Sequence, residues 1–265
     1  MPSLIMKPFE GPALKVARAI RHIEELACLL DDYGHRISIW YESVPEDPTY
    51  MCLKISEPPP SEIPMIIGDA VHNLRSSLDI MVCDIARMRN KSTNDVKFPF
   101  ACDEAGLIKA VERHCRQLGE DVQKLLIDQR AFKGGNVPLR GIHDLDVLDK
   151  HNMIIPTIPV TWGRGFMEIA LSELGSPRYI SDSLTIIGHV AIMGDFATLG
   201  PLDEVIEANL AQKMYPEEYM PNRMATALFS NSSPFPSAHV LPTLETLVKV
   251  TIETISAFEQ HIHPQ

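Results

Sequence analysis

The sequence lacks most of the features that assign a chain at sight. No apolar run reaches the ~18 residues of a membrane span, so none is expected. The opening Met1–Pro8 has no basic stretch followed by an apolar one, so no secretory leader is expected either. Basic residues are few: Lys+Arg 24 stand against Asp+Glu 35, a formal net charge of −11. Sequence-independent binding to nucleic acid rests on basic patches, and the nearest cluster here is Arg87, Arg89 and Lys91. Such binding is disfavoured; a local basic pocket is not.

Cysteine is sparse and scattered. Cys28, Cys52, Cys83, Cys102 and Cys115 are odd in number and include no C-x-x-C pair, which excludes zinc-ribbon and thioredoxin-type readings. Free thiols in a reducing cytoplasm are expected. Catalytic templates are missing as well. There is no H-E-x-x-H and no G-x-x-x-x-G-K-[ST], and Gly134-Gly135 and Gly163-x-Gly165 lack the strand–helix setting of a dinucleotide loop. Ser76 and Ser77 fall inside a predicted helix and not on a strand-to-helix elbow, which excludes an α/β-hydrolase nucleophile. Trp40 and Trp162 read as packing residues, and His261 and His263 as tail residues. No cofactor is expected.

What is present is a globular balance, 45% hydrophobic and 22% charged over 265 residues. A chain of this length buries roughly 70–75% of its unfolded surface and needs no disulfide or metal to stand. Val16, Ile20, Ile23, Ala27 and Leu30 predict a helix over 13–32, stopped by Gly34. Alternation at Ile37, Ile39 and Tyr41 and again at Met51, Leu53 and Ile55 predicts a β-hairpin over 35–57. A long helix follows over 61–90, its apolar face Ile63, Ile67, Ala70, Leu74, Leu78, Met81 and Ile85. Further helices are predicted within 103–152, with a break near Gly119. Residues 153–230 read as β-rich with an acidic, solvated excursion over 201–222, and 242–262 as a C-terminal helix. Together these predict a single α+β domain, a helical bundle with a long central helix carrying an antiparallel sheet.

Two segments concentrate polar side chains. In the long helix, Asp69, His72, Asn73, Ser76 and Cys83 share one stripe opposite Ile67, Leu74 and Leu78, with Arg75 and Asp79 at its flank. Short polar residues replace the Glu/Lys mix of an ordinary wet face. A solvated face, a structural polar network and a functional site all remain open. In the second segment, Ile142–Asn152, three Asp (Asp144, Asp146, Asp149) and two His (His143, His151) crowd a short helix. A metal would need ligands converging from both segments, with Asp69, His72, Asp149 and His151 as weak candidates; no sharp motif supports one.

The strings IIGDAVHNLRSSLDIMV and LDVLDKHNMI resemble a family of uncharacterised bacterial and phage-associated proteins. Its members carry a G-D-x-x-H-N-x-R-S-x-L-D-H helix and a later L-x-x-x-D-K-H-R segment. The resemblance covers about 30 residues and implies no established reaction. An R-x4-H helix is also similar to that of HEPN-type ribonucleases, metal-independent enzymes of helical bundles. Arg75 matches its first half, but Ile80 stands at the histidine, and Asn152 replaces the later arginine.

The leading functional expectation is an interaction or small-ligand-binding protein with a polar network between helices, formed by Asp69, Asn73, Asp79 and Asp149 with His72 and Arg75. The alternatives are a HEPN-like ribonuclease using Arg75 with His72 or His151, and a metal-dependent hydrolase on the weak candidate set. Whether the chain is an enzyme stays open, as does its partner; a homodimer is expected only because symmetric dimers are the commonest oligomers. The packing expectation is sharper. The Asp69/His72/Arg75/Asp79 stripe should meet the Asp149/His151 segment inside the fold, with Arg75 paired to Asp79 or Asp149. Asp149→Ala should then destabilise strongly if the network is structural, and hardly at all if Asp149 lines an open cleft.

Overall fold

The computed structural model describes residues 7–37, 56–154 and 225–263 with their side chains, and elsewhere the backbone of short strand segments. The backbone groups into two compact units: Met1–Leu26, Glu62–Pro156 and Phe229–Gln265 form the first, Ala27–Ser61 and Thr157–Leu228 the second. The α+β expectation is corrected. Where side chains are described, the protein is 69% helical in six helices and contains no sheet, so it is a mainly helical protein. Backbone pairing of β1 (Ile39–Val44) with β2 (Asp47–Ile55) belongs to the second unit. Most of the 153–230 stretch predicted to be β-rich, together with Trp40, Cys52 and Trp162, lies outside the described side chains.

The physical reason is visible in the burial pattern. The long helix α2 (Glu62–Met88) buries Ile63, Ile67, Leu74, Leu78, Met81 and Ile85 as expected, but also Ile66, Val71, Ser77, Val82 and Ala86. A helix buried on more than one face is a central helix, and its apolar demand is met by other helices. It packs against α5 (Val137–Asn152) and α6 (Val240–Ile262), which also pack against each other. Helix α6 contributes Leu244, Leu247, Thr251, Ile255 and Phe258 to this core.

Local chemistry sets the helix ends. Helix α1 (Glu10–Arg36) buries Val16, Ala19, Ile23, Leu26, Leu30 and Tyr33 at helical spacing and runs through Gly34, where a stop is predicted. Asp103 caps α3 (Glu104–Cys115) by accepting from the Gly106 amide at 2.7 Å. Gly119, at φ +91°, ends a 3₁₀ turn and lets α4 (Glu120–Asp128) set off in a new direction. Arg89 locks that corner, donating to the Leu118 carbonyl and at 2.9 and 2.5 Å to Asp121. Asn136 caps α5, and Pro138 sits in its first turn. Among the described residues no helix is long and apolar enough to cross a membrane.

Candidate functional site: the two faces of helix α5

Helix α5 has two polar faces because its residues fall into two sets at 100° per residue. Asp146, Asp149 and Lys150 lie on the side of the buried Leu139 and Ile142; Asp144, Val147, Leu148 and His151 lie opposite.

The first face forms a seam with α2, centred on Asp146. This carboxylate is 4% exposed. One oxygen accepts from His72 Nδ1 at 3.0 Å, the other from Lys150 Nζ at 2.5 Å. A buried carboxylate holding a donor on each oxygen is satisfied, and here it ties α2 to α5. The His72 side chain is 52% exposed, and its Nε2 lies 3.3 Å from Ser76 Oγ. With Nδ1 donating to Asp146, Nε2 is the acceptor and the Ser76 hydroxyl is the donor.

Asp149 reaches α2 differently from the expected pairing with Arg75. Its carboxylate lies against the bare backbone of Gly68, where an added Cβ would sit 2.4 Å from Oδ1. A side chain at this position would have to displace the Asp149 carboxylate from its present seat. Burial pushes the Asp149 carboxyl up, opposed by a hydrogen bond from the Ile154 amide, while neighbouring Asp146 and Asp69 raise it further. A carboxyl raised on folding binds its proton more tightly in the native state, so at neutral pH its charge is a cost that fades as the pH falls. Asp149→Asn is therefore expected to raise stability at pH 7, by up to about 1 kcal/mol or ~2–4 °C in melting temperature, with the gain shrinking in acid. Thermal melts across pH check this; a clear loss at pH 7 would show the charge to be paired after all.

Arg75 is 9% exposed. Its Nη1 lies 2.6 Å from Asp79 Oδ1, an ion pair without the direction of a good hydrogen bond. Asp79 Oδ1 also accepts from the Phe98 amide at 2.8 Å. The Arg75 guanidinium lies over the Phe100 ring, 4.6 Å from its centre, and His143 stacks with the same ring at 4.9 Å and 12°. His143 Nδ1 is buried without a hydrogen-bond partner. Burial, reinforced by the charges of Arg140 and Arg75, pulls the His143 imidazole down to about 4, so the ring is neutral at pH 7.

Asn73 is buried, donating to the Asp69 carbonyl at 2.7 Å and accepting from Lys15 Nζ at 3.2 Å. Asp69 itself is exposed. His151 is on the opposite face of α5 from Asp146, so Arg75, His72 and His151 do not gather as one constellation. Among the described residues, no group of three or more His, Cys, Asp or Glu is arranged to hold a metal.

The second face of α5 lines a shallow groove of roughly 490 Å³ within the first unit, completed by Lys133 and the Ser232-Ser233-Pro234 turn. Asp144 contributes little free charge there. It is held by Arg140, with Nε at 3.1 Å and Nη2 at 2.6 Å, while Arg140 Nη1 donates to the Ala101 carbonyl at 2.5 Å. Lys133 and His151 make no ion pair among the described residues.

Sequence reasoning chose Asp149 where the structure uses Asp146. The signal was present: Asp146 follows Leu139 and Ile142 on one stripe and precedes Lys150 by one turn. Phe100, outside any helix, left no periodic signal at all. Comparison with known proteins returned no matching family, curated protein or solved structure.

Proposed function

We propose that this is a small-ligand-binding protein, and that the groove on the outer face of α5 takes an organic anion. The groove itself carries the reading: its size lies within the range typical of small-molecule sites, and a short apolar wall stands among polar side chains able to orient a charged ligand. Val147, Leu148 and Pro234 supply the wall. Lys133 and His151 supply donors for an anionic group, while Asp144 is neutralised by Arg140. Among the described residues Lys133 makes no ion pair, and it stands beside an imidazole and serine hydroxyls on this groove.

The seam with α2 then has a supporting role: it fixes α5 in place, and with it the groove. The burial of Arg75 and its pairing with Asp79 speak against a ribonuclease mechanism, which needs that guanidinium free for a phosphate.

Calorimetric titration of the whole protein with phenyl phosphate and with benzoate tests the proposal. Saturable binding is expected, weakened about tenfold or more in Lys133→Ala, the loss typical of one charge-assisted hydrogen bond. Absence of binding by both probes, or affinity indifferent to Lys133 and His151, would overturn it.

A further inference from the structure

We infer that Ser76 is an activated nucleophile and that the Asp146–His72–Ser76 line transfers acyl groups from activated esters. The inference is independent of the groove and its ligand. Two contacts in line carry it: Asp146 Oδ1 to His72 Nδ1 at 3.0 Å, then His72 Nε2 to Ser76 Oγ at 3.3 Å. These are the roles of orienting carboxylate, general base and nucleophile, which are recognised by geometry and not by chain position.

Most helical hydroxyls with a described bond behave differently from Ser76, although Thr254, donating across to Gln129 Oε1 at 3.3 Å, is likewise turned from its own helix. Ser77, Thr243, Thr246 and Thr251 each donate to a carbonyl of their own helix, at 2.7 to 2.9 Å. That is the ordinary arrangement for a hydroxyl inside a helix. Ser76 points instead to an imidazole whose far nitrogen is anchored by a carboxylate 4% exposed. The base is reachable as well, since the His72 side chain is 52% exposed.

The step balances as follows. Ser76 Oγ attacks the carbonyl carbon of the ester while His72 Nε2 takes the hydroxyl proton, and Asp146 stabilises the imidazolium. The C–O bond to the leaving group breaks, the alcohol or phenol departs with that proton, and an acyl-serine remains; water then releases the acid and restores the hydroxyl. Backbone amides around Ser76 are used within α2, which offers no amide pair for the developing oxyanion. The substrate class is therefore esters with good leaving groups, such as aryl esters, and not amides.

The test is acetylation of the whole protein by p-nitrophenyl acetate, read by peptide mass spectrometry. An acetyl group is expected on Ser76, absent in Ser76→Ala. Its formation should slow by about a hundredfold in His72→Gln, the smaller end of general-base effects. His72→Gln keeps a polar group at a half-exposed position, and its melting curve verifies the fold; His72→Ala serves as the second variant. Labelling confined to other residues, or Ser76 labelling unchanged by loss of His72, would overturn the inference.

Discussion

Arg75→Ala is expected to lower the unfolding free energy by about 3 kcal/mol, the lower end of the range for breaking a buried ion pair. The Arg75 side chain is 11% exposed, and its removal leaves Asp79 without its cation. The Asp79 side chain is 36% exposed and keeps the Phe98 amide, so water and one hydrogen bond recover part of the loss. Loss of the cation–π contact with Phe100 adds about 0.5–1 kcal/mol in the other direction. For a chain of this size the result is a drop of roughly 6–12 °C in melting temperature. Urea denaturation and thermal melts measure it. Asp79→Ala combined with Arg75→Ala should cost less than the two single losses added, because each single variant strands the other's charge. A loss below about 1 kcal/mol for Arg75→Ala would show the guanidinium to be solvent-compensated.

Acid should unfold this protein through His143. An unfolded histidine titrates near 6.5, and burial holds this one at about 4 in the folded state. The unfolded chain thus takes up a proton first, and stability that is fully present above pH 6.5 drains away as the pH falls toward about 4. Over that window the loss is on the order of 3 kcal/mol at the usual exchange of 1.36 kcal/mol per pK unit. Arg140 and Arg75 face the ring and oppose its protonation, while Asp144 and Asp146 favour it weakly. His143→Phe should keep the stack on Phe100, remove a buried nitrogen that has no partner, and flatten stability across this range. Asp149 contributes a slope of opposite sign, while Asp121, held below the usual carboxylate range by its hydrogen bond with Arg89, adds acid loss of the same sign as His143; both remain in the variant. Denaturation midpoints from pH 4 to 8 for both proteins decide it; an unchanged slope in His143→Phe would assign the acid loss elsewhere.

Much of this was legible in the chain, where periodicity is strong. The boundaries of α2 and α6 follow their apolar repeats to within two residues, because a stripe that must be buried fixes a helix phase. Alternation in Ile37–Ile55 reads local strand preference but cannot say what a strand packs on, and a layered α+β domain was an overextension of that local signal. In the site, the pairing of Arg75 with Asp79 follows from their spacing of one turn. Asp146 and Asp149 share the stripe of the buried Leu139 and Ile142, so phase alone does not choose between them; which one meets His72 depends on how α5 lies along α2. Phe100 and the Ser232–Pro234 turn come to the site from loops, and nothing in local sequence foretells their contact with α5.

The division of α5 into a face that holds the fold and a face that binds is tested most directly by melting wild type, Asp146→Ala and Lys133→Ala with and without phenyl phosphate. Asp146→Ala should melt lower, by about 2–3 kcal/mol of stability for two charge-assisted hydrogen bonds less the regained hydration, yet keep the upward shift that the ligand gives. Lys133→Ala should melt like wild type and lose that shift. An Asp146→Ala protein as stable as wild type, or a Lys133→Ala protein that still responds fully to phenyl phosphate, would contradict the account.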